Sequence, residues 1–275
     1  MSHDYNAVKM RNEYLPFPSK IVDIIEHTAV EHTFRVEYTG DVRPGQFFEV
    51  SIPRVGEAPI SVSGIGEDTI DLTIRKVGKV TDEIFDLLHS DRLFLRGPYG
   101  NGFDVELYKG KELLVVAGGT GLSPVRGVVD YLANHPEECK HISLVAGFKS
   151  PADVLFLADQ IRWRETVNLI LTVDALDCDP GDMTCEIGLV TEHLPSLKID
   201  NYEEATAIVV GPPMMMHFTC LQLLELGFKE ENIWISQERK MCCGIGKCGH
   251  CKINESYVCT DGPVYNYTVG RHMFD

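Results

Sequence analysis

The chain has 275 residues and a formal net charge of −16, with 41 acidic against 25 basic side chains. That surplus argues against nucleic acid and anionic membrane surfaces as partners. No stretch approaches the roughly 18 apolar residues of a membrane helix, and the opening Met-Ser-His-Asp-Tyr-Asn lacks the basic and apolar regions of a secretory signal. The nine cysteines are therefore expected in a reducing cytoplasm, as metal ligands or buried thiols rather than disulfides.

Residues 1–106 read as short strands separated by turns, which predicts a small closed antiparallel barrel. Strands are expected over 19–29, 31–38, 46–52, 60–63, 69–77 and 92–96, with one helix over 81–88. Alternation is plainest in Thr69-Ile-Asp-Leu-Thr-Ile-Arg, where Ile70, Leu72 and Ile74 share a face. Within this part Arg75 ends an alternating strand and is placed to grip a phosphate in a bidentate clamp. Thr81 opens the helix, where N-terminal amides would meet the same phosphate. An exposed arginine and a plain helix cap explain those two residues equally well.

Residues 107–236 change rhythm to strand, helix, strand, helix, which predicts a five-stranded parallel sheet with helices on both faces. The run Glu112-Leu-Leu-Val-Val-Ala is continuously apolar after its first residue, as a strand covered on both faces would be. It leads into Gly118-Gly119-Thr120-Gly121 and a helix running to about 134, with Ser123 as expected N-cap and Pro124 at the first helical position. Further strands are expected over 141–147, 167–173, 205–211 and 232–236, with helices over 152–164, 189–194 and 213–226. Residues 174–186 read as a loop. Two turns carry chemistry here. Gly119, Thr120 and Gly121 follow a strand and open a helix, where a dinucleotide pyrophosphate docks on backbone amides. Gly211, Pro212, Pro213 and Met214 make a second such turn, and both face the carboxyl edge of the sheet. At least two of Met214, Met215 and Met216 are expected to fill core.

Residues 237–275 are rich in Gly and Cys and too few for a core of their own. Cys243, Cys248 and Cys251 are separated by four and two residues, and Cys259 follows after seven more. This is the plant-type [2Fe–2S] ligand run. Gly244, Gly246 and Gly249 lie between the ligands, where tight backbone turns need φ > 0. A structural zinc knuckle is the competing reading, but zinc sites usually present two short Cys pairs, and only 248–251 looks like one. Cys242 breaks the spacing and is read as a non-ligand. His250 is expected near the cluster without binding it.

Barrel, nucleotide sheet and C-terminal cysteine run, in that order, resemble the ferredoxin–NADP reductase superfamily. The C-x4-C-x2-C-x7-C run followed by Thr260-Asp-Gly-Pro-Val-Tyr is similar to the branch that holds the electron-transfer subunit of class 1B dihydroorotate dehydrogenase. The blocks at 53–63, 96–103, 115–121 and 259–263 look closer still to the electron-supplying flavoprotein family of anaerobic sulfite reductase. The resemblance implies FAD on the barrel, NADH on the sheet and a [2Fe–2S] cluster at the end. By position, Ala58, Pro59, Ile60, Ser61, Thr73, Ile74, Arg75, Val80 and Thr81 would touch FAD. Gly119, Thr120, Gly121, Gly211, Pro212, Pro213 and Met214 would touch the nicotinamide nucleotide. Three positions depart from the superfamily pattern: Ala58 replaces an arginine, Ile60 an aromatic residue, and Val210 the cysteine before Gly-Pro-Pro. The lost arginine leaves Arg75 with more of the flavin phosphate.

The implied function is an electron-transfer subunit that takes hydride from NADH and delivers single electrons to partners. Those partners would be an iron–sulfur relay subunit and a sirohaem subunit that reduces sulfite to sulfide. Dihydroorotate dehydrogenase and sulfhydrogenase assemblies are the alternatives, with a zinc-stabilised non-enzymatic module behind them. NADH is expected over NADPH, because a 2′-phosphate wants arginines and none follows the second strand of the sheet before Arg162 and Arg164.

Overall fold

The computed structural model describes residues 12, 14–179 and 184–273. Six strands, β1 (Phe17–Glu26), β2 (Glu31–Glu37), β3 (Phe47–Ile52), β4 (Gly56–Ile65), β5 (Thr69–Arg75) and β6 (Arg92–Tyr99), close into an antiparallel barrel in the order β1-β2-β5-β4-β3-β6. The alternation that predicts β5 also fills the barrel. Ile70, Leu72 and Ile74 point inward against Phe34, Val36, Phe48 and Val50, all essentially excluded from water. β4 and β6 are longer than expected because their extra residues pair with β3, as in Ile52↔Gly56 and Phe47↔Tyr99. Helix α1 (Lys79–Phe85), between β5 and β6, adds Ile84 to the same core. It starts two residues before Thr81. Gly78 is the cap, and the Thr81 hydroxyl accepts from the amides of Val77 and Gly78 while donating to the Gly78 carbonyl.

The second unit is a sheet of seven strands rather than five. β7 (Glu112–Gly118), β8 (His141–Phe148), β9 (Asn168–Val173), β10 (Glu186–Ile187), β11 (Thr206–Val210) and β12 (Ile233–Ser236) are parallel, in the order β10-β9-β8-β7-β11-β12. After the hairpin β13 (Lys252–Ile253) and β14 (Ser256–Tyr257), β15 (Val264–Asn266) returns antiparallel to β12 and closes that edge. β10 and β15 are two and three residues long, too short to show periodicity. The expected loop at 174–186 therefore ends in a strand, and its Pro180, Gly181 and Asp182 lie outside the described residues.

Helices α2 (Leu122–Asn134) and α3 (Leu157–Trp163) cover one face through Val125, Val128, Val129, Leu132 and Trp163. Helices α4 (Val190–His193) and α5 (Pro213–Leu226) cover the other through Val190, Met216, Cys220 and Leu223. Two short helices, α6 (Val258–Asp261) and α7 (Tyr267–Gly270), flank β15.

Two further expectations fail for identifiable reasons. Ser123 is not the cap of α2. Gly121 is, and Ser123 sits inside the first turn, buried, with its hydroxyl unpartnered. The helix expected over 152–164 forms only from Leu157, because Phe156 takes a left-handed φ of 54°. That turn sets the Phe156 ring 4.7 Å from His27 and lets its amide donate to His27 Nδ1, so a barrel contact overrides helix propensity.

Arg126 on α2 fastens the two units. It donates to the Ser63 carbonyl at 3.0 Å, to Asp71 Oδ2 on β5 at 2.9 Å and to Asp159 on α3 at 2.7 Å, and its guanidinium lies 4.9 Å from the Phe156 ring. Asp71 also accepts a bidentate pair from Arg35. Both guanidinium groups hold its carboxyl below the usual range against the effect of burial.

Candidate functional site

A cavity of about 1080 Å³ lies between barrel and sheet. Both predicted glycine turns line it, because β7 and β11 are neighbours and end at the same edge. The turns touch. A Cβ on Gly121 would stand 2.5 Å from the Val210 carbonyl and 2.8 Å from Gly211 Cα, so only glycine lets the strand ends approach. Gly119 has φ 54° with open space where a side chain would be, which leaves its backbone bare to the cavity. Two buried polar atoms without hydrogen-bond partners, Gln222 Oε1 and Gln237 Nε2, belong to residues of the same wall. A cradle with bare backbone at a helix start and unspent polar groups fits a phosphate-bearing, polar ligand.

The three methionines divide as their positions dictate. Met216 is core, Met215 packs on Gly118 and Gly211, and Met214 is 63% exposed at the cavity mouth. Val210 is 1% exposed and belongs to the sheet core, so nothing reactive replaces the superfamily cysteine at the cavity wall.

The barrel residues are only partly gathered. Arg75 lines the cavity with its guanidinium held 3.3 Å from Glu31 and nearly half exposed. Ala58, Pro59, Ile60 and Ser61 are half-buried on β4, and neither they nor Val80 and Thr81 belong to the cavity wall. β4 and α1 are nonetheless adjacent, since a Cβ on Gly56 would stand 3.1 Å from Val80. Ile74 points into the barrel core and can offer a ligand only its backbone. The Thr73 hydroxyl is shared with Thr33 and Ser63 at 2.7 Å each.

The cysteine segment packs against the outer face of β3. Phe47, Glu49 and Ser51 point away from the barrel core yet are buried. Phe47 joins Cys251, Val258, Cys259 and Tyr265 in one cluster. Asn101, just past β6, holds Val264 through both its amide groups. Gly244, Gly246 and Gly249 take φ values of 72°, 69° and 78°. These turns aim amides at sulfur: Gly246 at Cys259 Sγ (3.2 Å), and Lys247 and Cys248 at Cys243 Sγ (3.4 Å each). Burial works against ionisation of Cys243, but the amides of Ile245, Cys248 and Lys247 outweigh it and bring the thiol down to about 6. Cys259 is pushed up, by burial and then by its neighbour Cys251.

The four thiols fall into two neighbouring pairs, Cys243 with Cys248 and Cys251 with Cys259. Among the described residues no three His, Cys, Asp or Glu side chains converge to hold a single ion. Four thiols with backbone amides directed at sulfur fit an iron–sulfur centre, which Cys243, Cys248, Cys251 and Cys259 would hold. Cys242 is exposed and outside both pairs.

Sequence reasoning missed Arg126 and the orphaned amide of Gln237, and it gave Arg96 no role. A charge among Val125, Val128 and Val129 was a readable signal for Arg126. Nothing in a β6 pattern shows that its outer face would be covered.

An antiparallel barrel followed by a parallel nucleotide sheet, with a cleft between them, is the architecture of FAD/NAD-binding reductases of the ferredoxin–NADP reductase type. Comparison with known proteins agrees. Residues 115–221 match the oxidoreductase NAD-binding domain, and 238–269 match the iron–sulfur cluster binding domain of dihydroorotate dehydrogenase B. The chain is 34% identical to sulfhydrogenase 2 subunit gamma of Pyrococcus furiosus, over 93% of this chain and 96% of the relative. It is 33% identical to a probable dihydroorotate dehydrogenase B (NAD(+)) electron transfer subunit of Thermoplasma volcanium, over 90% and 88%. A solved NADH-dependent reduced ferredoxin–NADP oxidoreductase shares the fold with a TM-score of 0.73 at 24% identity, over 91% of this chain and 88% of that one. The chain belongs to the ferredoxin–NADP reductase superfamily, in the branch of the dihydroorotate dehydrogenase B electron-transfer subunits and the sulfhydrogenase gamma subunits. It is an oxidoreductase subunit with a nicotinamide-nucleotide domain and an iron–sulfur domain.

Proposed function

We propose that this chain is the electron-input subunit of a larger reductase, receiving hydride from NADH and releasing single electrons. The observation that carries the reading is the meeting of Arg75 and both glycine turns in one cleft, with four paired thiols fixed on the same barrel. A bound flavin supplies the conversion of a hydride into single electrons. The chain's own part is placement. Gly119, Thr120 and Gly121 offer amides to the pyrophosphate, and Gly211, Pro212, Pro213 and Met214 hold the nicotinamide end. On the barrel, Ala58, Pro59, Ile60 and Ser61, with Val80 and Thr81, bind FAD; Thr73 and Ile74 contribute backbone and Arg75 the charge. Cys243, Cys248, Cys251 and Cys259 hold a [2Fe–2S] cluster, with their potential set by the directed amides.

Charge in the cleft favours NADH. Its wall carries Arg75 and Lys149 against Glu31, Asp153, Asp174, Glu225 and Glu238. A 2′-phosphate would add negative charge to an already acidic wall. Flavin bleaching should be much faster with NADH than with NADPH at equal concentration, and equal rates would refute the preference.

For the acceptor we propose an iron–sulfur relay subunit and a sirohaem subunit reducing sulfite, on the blocks at 53–63, 96–103 and 259–263. The full-length similarity to sulfhydrogenase gamma and dihydroorotate dehydrogenase B subunits favours the second reading, an assembly of one of those kinds. Isolation of the intact complex decides. Sulfite-dependent NADH oxidation supports the first reading; dihydroorotate-dependent NAD+ reduction or hydrogen uptake without any response to sulfite replaces it.

A further inference from the structure

Arg96 carries a formal charge into the protein interior, outside the wall of the nucleotide cleft. Its side chain is 2% exposed. A guanidinium has five N–H donors, and each has a partner here. Nε donates to Glu57 Oε1 at 3.1 Å and one Nη2 hydrogen to Glu57 Oε2 at 2.5 Å. The remaining three leave the ion pair: Nη1 reaches Tyr99 Oη at 3.0 Å and the Cys243 carbonyl at 2.9 Å, and Nη2 the Cys242 carbonyl at 3.1 Å. One planar fork thus joins β4, β6 and two successive peptides of the cysteine segment. Those peptides are the last before the Gly244–Gly246 turns, so they set where the first thiol of the run stands. Tyr99 continues the contact, since a Cβ on Gly244 would lie 2.6 Å from its ring. Beside the fork lies Glu49, fully buried, with both carboxyl oxygens unpartnered. Burial pushes the Glu49 carboxyl up to about 7, towards its neutral form, so the guanidinium's charge is met by Glu57 and its remaining donors go to Tyr99 and the two carbonyls of the cysteine segment.

We propose that Arg96 is a positioning residue that fixes the Cys242 and Cys243 peptides, and with them the first cluster ligand, on the outer face of the flavin barrel. This rests on the reading of Cys243 as a ligand. Lysine cannot substitute, because three donors on a point charge cannot hold Glu57 and two carbonyls in one plane.

The test compares the wild-type chain with Arg96→Lys and Arg96→Ala, purified without oxygen. Flavin and iron per chain, the paramagnetic resonance spectrum of the reduced cluster, and the separate rates of flavin bleaching by NADH and of subsequent cluster reduction are measured. Arg96→Lys should keep its flavin and its bleaching rate. Its resonance should broaden, and cluster reduction should slow by about tenfold or more, as when a reacting group is slightly misplaced. Arg96→Ala should lose most of its iron and retain flavin; if it does not fold, Arg96→Lys decides. An unchanged spectrum and unchanged cluster reduction in Arg96→Lys overturn the proposal. So does a parallel fall in flavin content and bleaching, which marks a merely structural role. A wild-type chain without iron overturns the electron-transfer reading and this proposal together.

Discussion

The nucleotide cleft and the cysteine segment both present backbone amides to a bound group, but they are supported in opposite ways. The cleft's turns end β7 and β11, whose side chains are buried along their whole length. Their geometry follows from the sheet core, and the ligand is added to a finished frame. The cysteine segment has only two-residue strands and a four-residue helix, and its buried Cys251, Ile253, Val258 and Cys259 pack onto the core of the sheet instead of forming one of their own. It is held by specific polar links, to β6 through Arg96 and Asn101 and to β12 through β15. Position there depends on packing against a core supplied by the other units, on single hydrogen bonds and, on the reading above, on metal.

That contrast can be broken most sharply at Cys259, which is 1% exposed. Cys259→Ser should abolish the cluster and open residues 243–260 to protease, since binding energy of a metal group is folding energy for such a segment. NADH should still bleach the flavin. If bleaching is lost as well, the two regions are not independent. Next in size is Arg126→Ala, which removes the fastening of barrel to sheet. The cost should fall near the lower end of about 3–5 kcal/mol, measured by denaturant unfolding. Asp71 keeps Arg35 and Asp159 keeps Arg162, which limits the loss.

Arg75→Ala tests the cleft alone. With alanine at 58, one charged hydrogen bond is worth about 1.5–3 kcal/mol, so FAD affinity should fall by about 10–100-fold with the iron content unchanged. The smallest effect concerns the barrel–sheet seam. Burial first, and Arg126 second, bring His27 down to about 4 from 6.5. The fold thus prefers the neutral imidazole. Its contribution is complete above pH 6.5 and is lost as pH falls from 6.5 towards 4. His27→Gln should flatten the stability profile over that window; an equally steep profile would assign the loss to other groups.

Local patterns carried much of this. Alternation found β5, the apolar run found β7, and the 213–226 helix matched α5 residue for residue. The cysteine spacing and the two glycine turns were legible because ligand geometry and backbone approach act over a few residues. Other features were not. Phe156 turns left-handed for a contact 129 residues away. Ser123 is overtaken as a cap because α2 begins at the glycine turn itself.

The sequence by itself determined the order of the units, the inward face of the barrel, the two turns and the run of four cysteines, since each depends on neighbours in the chain. Tertiary structure decided which outward faces are covered, so only it shows that β3 is buried on both sides, that Arg126 spans barrel and sheet, and that Arg96 reaches the peptides of Cys242 and Cys243. Those links join residues dozens to more than a hundred positions apart, and no periodicity records a contact of that kind.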